Sequence, residues 1–264
     1  MKTILAILLI TTMASFAQGP TQSMQFRRFK NGTLITGTSL VISSQDFGDY
    51  NRRKFSFGAK IKRTGFGVHS FTWCKSNGSN TLFLFPHWSW RLDINPSDHL
   101  ALTIYGGPQG QSQIGYVEAK QSLRDLNVRA IQGDIDFDNP IASERLRLYI
   151  NGVRVTQFHY TQWPTATAQI YDGDEPVSLG GNSLPQNSGS AHYYFNGFME
   201  NAWFVSGRNP SPSEINNPNG TSKDLKNLPD IWALVEGDDN PLSLDAASGD
   251  IWINNGVTYG QDLP

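Results

Sequence analysis

Between Lys54 and Lys62 the chain alternates without a break: Phe55, Phe57, Ala59 and Ile61 on one side, Lys54, Ser56, Lys60 and Lys62 on the other. A period of two with one apolar face predicts a half-buried β-strand. The strongest local signal is Arg145-Leu146-Arg147-Leu148-Tyr149-Ile150, then Asn151-Gly152, then Val153-Arg154-Val155-Thr156. Leu146, Leu148 and Ile150 share a face, and Asn-Gly supplies the two positive-φ residues of a type I′ turn, so this segment is a tight antiparallel hairpin. Apolar or alternating runs at 34–42, 71–74, 81–85, 88–94, 100–105, 116–119 and 127–132 predict further strands. Helix is nearly absent. Pro210-Ser211-Pro212-Ser213-Glu214-Ile215 can start one turn, with Ser211 as cap, Pro212 at the first position and Glu214 completing the cap. Asn216-Asn217-Pro218 ends it. Many strands with frequent turns and no repeat period predict an all-β sandwich or barrel.

Composition sharpens this pattern. Glycine and proline number 25 and 14 in 264 residues, and only 17% are charged, against roughly 25% in an ordinary soluble domain. No long charge block or low-complexity tract marks a disordered chain. The single cysteine, Cys74, permits neither an internal disulfide nor a cysteine zinc site.

Charge is unevenly placed although the net value is only −2. Residues 24–63 carry nine Arg and Lys against Asp46 and Asp49, whereas residues 224–264 carry eight acids against Lys226. A basic stretch can serve an anionic partner, but it lacks the dense clustering of a nucleic-acid footprint. The expectation is that the two ends lie together and neutralise each other, as the termini of one compact domain can, with no nucleic acid bound.

Met1-Lys2, an apolar run from Thr3 to Ala14, and Ser15-Phe16-Ala17 make the three regions of a signal peptide, with cleavage before Gln18. The run is short for a bilayer span, and no later segment is long enough to be one. The expectation is an exported chain, secreted or on a virion surface. Sequons at Asn31, Asn77 and Asn219 matter only in a eukaryotic secretory route.

Candidate chemistry is sparse. Asp134, Asp136 and Asp138 space carboxylates two apart, and Asp172 with Asp174 and Glu175 form a second acidic group. Hard cations favour such oxygens, yet Ile135 and Phe137 between the first three equally describe an edge strand, so calcium is a weak candidate cofactor. Glycan binding needs aromatic faces, because sugar C–H surfaces stack on π-clouds. Trp88 and Trp90 lie two apart on one strand, where a sugar-stacking face and the sandwich interior compete for them. The polar segment Tyr160-Thr161-Gln162-Trp163-Pro164 reads as a loop, with Tyr160 and Trp163 as surface candidates. Tyr194, Trp203 and Phe204 read as core. His69, His87, His99, His159 and His192 show no metal spacing and no nucleophile beside them.

The order of motifs resembles a known family. The hairpin 145–158 is followed by Val177-Ser178-Leu179-Gly180-Gly181, then by Phe195-Asn196-Gly197-Phe198-Met199-Glu200-Asn201-Ala202, then by Pro210–Ile215 as a Ser-Pro-Ser-Glu-Ile turn. This succession is similar to the concanavalin A-like jelly roll of laminin-G type. With Ser39-Leu40-Val41-Ile42-Ser43-Ser44-Gln45-Asp46-Phe47 at the start and Glu236-Gly237-Asp238 near the end, it looks like the version in phage and marine viral structural proteins. The chain departs from it in its leader and in Ile231-Trp232-Ala233, where that version is richer in tryptophan. The resemblance covers about residues 34–253, after a leader at 1–17 and a lead-in at 18–33, and before a tail at 254–264.

The resemblance implies a two-sheet antiparallel jelly-roll sandwich, here of roughly twelve strands. Laminin-G relatives often bind calcium, but that motif does not map onto either acidic group. Enzymes of this fold use paired carboxylates on one strand for glycosidic acid/base work, and its lyases use an Arg-rich strand, a Gln-x-His strand and a Tyr base; neither pattern is present in order. The expected function is non-catalytic recognition of a glycan or cell-surface polysaccharide, as an adhesion or receptor-binding domain. The alternative is a capsid or fibre decoration protein that packs against other virion or surface proteins.

Overall fold

The computed structural model describes residues 48–67, 70–77, 87–110, 112–171, 176–181, 195–217 and 223–236, with short strands at 24–42 and 253–259. The leader, the 81–85 run, Asp172, Asp174 and Tyr194 lie outside the described residues. In chain order the strands are β1 (Met24–Phe26), β2 (Phe29–Lys30), β3 (Thr33–Leu34), β4 (Ser39–Ile42), β5 (Lys54–Arg63) and β6 (Ser70–Asn77). Next come β7 (His87–Ile94), β8 (His99–Gly106), β9 (Ser112–Ser122), β10 (Val128–Asp136), β11 (Leu146–Ile150) and β12 (Val153–Arg154). The last are β13 (Phe158–Gln162), β14 (Val177–Leu179), β15 (Gly197–Ser206), β16 (Ile231–Val235), β17 (Ile253–Asn255) and β18 (Thr258–Tyr259), with helix α1 (Pro212–Ile215) between β15 and β16.

They form two antiparallel sheets. One is ordered β12-β11-β10-β5-β15-β1-β18 with β16 also on β15, the other β13-β9-β8-β7-β6-β14-β4-β17. The hairpin forms as expected, with Asn151 at φ 52° and Gly152 at φ 74° and Ile150 opposite Val153. Helix α1 also forms as expected: Glu214 accepts hydrogen bonds from the Ser211 backbone N–H at 2.8 Å and hydroxyl at 2.9 Å. The 34–42 run, expected as one strand, splits into β3 and β4.

Between the sheets lies the core. Phe55, Phe57, Ala59 and Ile61 of β5 meet Trp90, Leu92 and Ile94 of β7 and Leu100, Leu102 and Ile104 of β8 there, all buried. Gly133 stands opposite Phe57, and a Cβ at Gly133 would already touch Leu92 and Leu102. Trp90 is wholly covered, donates its indole N–H to the Tyr50 hydroxyl at 2.8 Å and packs 4.8 Å from the Phe57 ring. Of its two possible placements the structure takes the interior, so Trp90 is not a glycan contact.

The expected half-burial of β5 is a correction. Its Ser56 and Lys60 are buried as well, because a second apolar cluster of Trp203, Val205, Ile215, Leu225 and Leu234 covers the outer side of this sheet. Gly58 permits this closure, since a Cβ there would lie 2.8 Å from the Trp203 ring.

The N- and C-terminal ends meet as expected: β1 pairs with β18 and β4 with β17. Four basic side chains of the 24–63 stretch pair with acids from elsewhere in the chain, while most of the C-terminal acids lie outside the described residues. Arg53 pairs with Asp138, Lys54 with Asp136, Lys60 with Glu200 and Arg63 with Asp98. These acids come from the middle of the chain, because antiparallel pairing sets β5 against β10 and β15.

Candidate functional site on the outer face of the β6–β9 sheet

Strand alternation turns Ser89, Arg91 and Asp93 of β7 away from the core residues Trp90, Leu92 and Ile94. Register then aligns two rows across the face. Arg91, Thr103, Tyr116 and Gln162 stand side by side, as do Asp93, Ala101, Glu118 and Tyr160. Partners in adjacent antiparallel strands project to the same side, so residues far apart in sequence share one surface.

The centre of the open part is Glu118 on β9. One carboxylate oxygen meets His99 Nδ1 at 2.9 Å and the other accepts from the Tyr116 hydroxyl at 2.7 Å. Burial works to raise this carboxyl, but hydrogen bonds from His99, Tyr116 and Asn95 together outweigh it and hold Glu118 below its ordinary range. Tyr116 moves the other way: burial first, then its hydrogen bond to Glu118, holds the phenol above its ordinary range. Around this pair lie rings. His159 stacks on His99 with centroids 4.6 Å apart, and Tyr160, 54% exposed, tilts against Tyr116 at 5.5 Å. Gln162 and Gln113 bond each other at the margin.

Toward β7 the same face is covered. The Arg91 guanidinium lies over the Tyr105 ring and pairs with Asp93 at 3.5 Å. Ser89 and Thr103 are wholly buried, and their hydroxyls have no hydrogen-bond partner among the described residues.

The residues singled out from sequence divide sharply. Tyr160 belongs to the face just described, but in strand β13 rather than in a loop. Trp163 is half-buried, edge-on to Phe158 at 5.7 Å and packed against the core, so the ring expected at the surface closes the sandwich edge instead. Trp88 lies on β7 opposite Ser76, and its side chain lies outside the described residues. Trp203 and Phe204 are core, as expected. His99, which had no visible partner in the sequence, has one in Glu118.

The acidic strand is a network of ion pairs. Asp134 accepts from Ser56 and Gln132, each at 2.8 Å, and pairs with Arg147 at 3.2 Å. Asp136 meets Lys54 and Asp138 meets Arg53. Burial pushes the Asp134 carboxyl up despite these partners. Calcium needs six or more converging oxygens, whereas each of these carboxylates faces a different cation. Among the described residues no three His, Cys, Asp or Glu side chains are grouped to hold a metal.

No family model matches the chain, and no curated protein matches it in sequence. Solved structures do. A Bacteroides ovatus protein described provisionally as carbohydrate-binding superposes with a TM-score of 0.60 at 14% identity, over 92% of this chain and 60% of its own. This chain thus spans about three-fifths of that protein's length. A heptameric SAP-like pentraxin from Limulus polyphemus gives 0.56 at 12% identity, over 92% and 96%. Domains LG4-5 of the mouse laminin alpha1 chain reach 0.43 at 14% identity over 70% of this chain and 41% of that one, too low to carry weight. At these identities the likeness is one of fold, and the fold is the two-sheet antiparallel jelly-roll sandwich of concanavalin A-like type.

Proposed function

We propose that this chain is a non-catalytic glycan-recognition domain of an exported protein, and that it binds through the open part of the β8–β9–β13 face. The observation that carries the reading is the exposed Tyr160 ring beside Tyr116, with the Glu118 carboxylate between the flanking rings. An exposed aromatic face takes the C–H side of a sugar. A carboxylate held ionised accepts from its hydroxyls, and hydrogen bonds to charged groups are the stronger kind. The fold likeness to a protein described as carbohydrate-binding supports the same direction.

The electrostatics favour binding over hydrolysis. Asp93 and Glu118 do share this face, two strands apart. Hydrolysis by a carboxyl pair of the inverting kind needs a general acid with a raised pKa. Glu118 is shifted down, Asp93 is buried against Arg91, and a phenol shifted up as Tyr116 is makes a poor base.

A glycan array probed with the folded chain is expected to give hits, and Tyr160→Ala to weaken the strongest about three- to tenfold, the scale of one aromatic stacking contact. No hits, or unchanged binding by Tyr160→Ala, overturns the reading.

A further inference from the structure

Beyond the face, a groove of about 320 Å³ opens where the edges of the two sheets approach each other, between the end of β9 and the β11–β12 hairpin. Its apolar lining comes from Ile150, Val153 and Val155, and its polar rim from Lys120, Arg154 and Thr156. Val153 is 70% exposed, the largest value among the described large hydrophobic residues. It stays exposed because β12 ends its sheet and the type I′ turn fixes its side.

Charge in the groove has one sign. No acidic side chain lines it among the described residues, while Lys120 and Arg154 do. Glu144 holds Arg154 at 2.7 Å from outside the groove, through a single guanidinium nitrogen of a group with five N–H donors. Lys120 has no carboxylate within ion-pair distance among the described residues. A half-apolar groove with a cationic rim complements an anion carried on a carbon framework.

The groove is also continuous with the proposed glycan face. Lys120 follows the buried Ala119 on β9, so alternation turns it to the side of Glu118, about 7 Å further along the strand. Tyr160 pairs with Glu118 across the sheet edge. A chain of sugar rings lying on Tyr160 and running along β9 therefore arrives over Lys120.

We propose that this groove is a second subsite of the same ligand, receiving the carboxylate or sulfate of an acidic polysaccharide whose neutral ring rests on Tyr160. The inference rests on the glycan reading of the face and names the ligand class. Tyr160 supplies stacking and the groove supplies the preference for charge.

The test is an array printed with polyuronates, sulfated galactans and neutral glucans, mannans and galactans, read with the wild-type chain and then with Lys120→Gln and Lys120→Arg. Hits confined to the acidic glycans are expected, and which of the first two groups leads distinguishes carboxylate from sulfate. On the strongest hit Lys120→Gln should weaken binding about fivefold, the scale of one partly exposed ion pair, and Lys120→Arg should restore it. Binding should weaken as salt is raised from roughly 0.05 to 0.5 M. Thermal melts of the variants should match the wild type, since Lys120 is exposed. Hits on neutral glycans only, or acidic hits indifferent to Lys120→Gln but lost in Tyr160→Ala, overturn the subsite and leave the face standing. An array without hits overturns both.

Discussion

Gly58 and Trp203 illustrate how much of this molecule is decided by single side chains. An alanine Cβ at Gly58 would lie 2.3 Å from the Ile131 carbonyl oxygen and 2.8 Å from the Trp203 ring. The first neighbour is backbone in the paired strand, so relief requires the sheet to shift. Gly58→Ala is expected to destabilise the chain by about 1–3 kcal/mol, the range for overpacking a tight interior, and to lower Tm by roughly 3–10 °C. A calorimetric scan with Tm unchanged removes the claim that Trp203 is seated by this glycine. Trp90 and Tyr160 make the complementary point about aromatics. Both were candidate sugar contacts in the sequence, with the core competing for Trp90, and Trp90 belongs to the core and bonds to Tyr50, whereas Tyr160 keeps an open ring.

At the scale of elements, β9 with its neighbours β8 and β13 makes the site. Because hydrogen bonds hold the Glu118 carboxyl below its ordinary value near 4.5, its ionised form is favoured in the folded chain. That contribution is fully present above the ordinary carboxylate range and is lost as pH falls through the lowered, folded value. The melting temperature of the wild type should therefore drop more steeply between about pH 6 and pH 3 than that of Glu118→Gln. Parallel curves would show that His99 and Tyr116 do not hold this carboxylate ionised. The same strands explain what could be read in advance. The β11–β12 hairpin, β5 and α1 were legible because alternation, Asn-Gly and Ser-Pro-Ser-Glu are local signals. The burial of Ser56 and Lys60 was not, since it depends on α1 and β16 arriving from far along the chain. Tyr160 was visible as an aromatic in a polar stretch, but Glu118 and His99 become partners only through β8–β9 pairing, and His159 joins them through β13. No local pattern carries a register set by pairing at such separations.

Across the whole molecule, the ends that carry opposite charge excess are brought together by strand pairing, β1 with β18 and β4 with β17. Strand β1 lies between β15 and β18, with Met24 opposite both Met199 and Tyr259. The sheet thus takes in strands on both sides of the 34–253 span. Removing residues 1–17, read from the sequence as a cleaved leader, should leave Tm unchanged. Removing residues 1–28 should do more, since it takes away the strand that pairs with β18 and β15. At about 0.5–1.5 kcal/mol for each ladder hydrogen bond, the loss of a few such bonds is expected to lower Tm by roughly 5–10 °C. It should also promote association through the freed edge, because an unpaired strand edge templates pairing with another chain. Melting curves and light scattering on the two truncations separate the cases. Equal melting temperatures and two monomers would mean that the β1–β15 and β1–β18 pairings contribute nothing to the sandwich, and that β5, β10 and β15 hold that sheet without them.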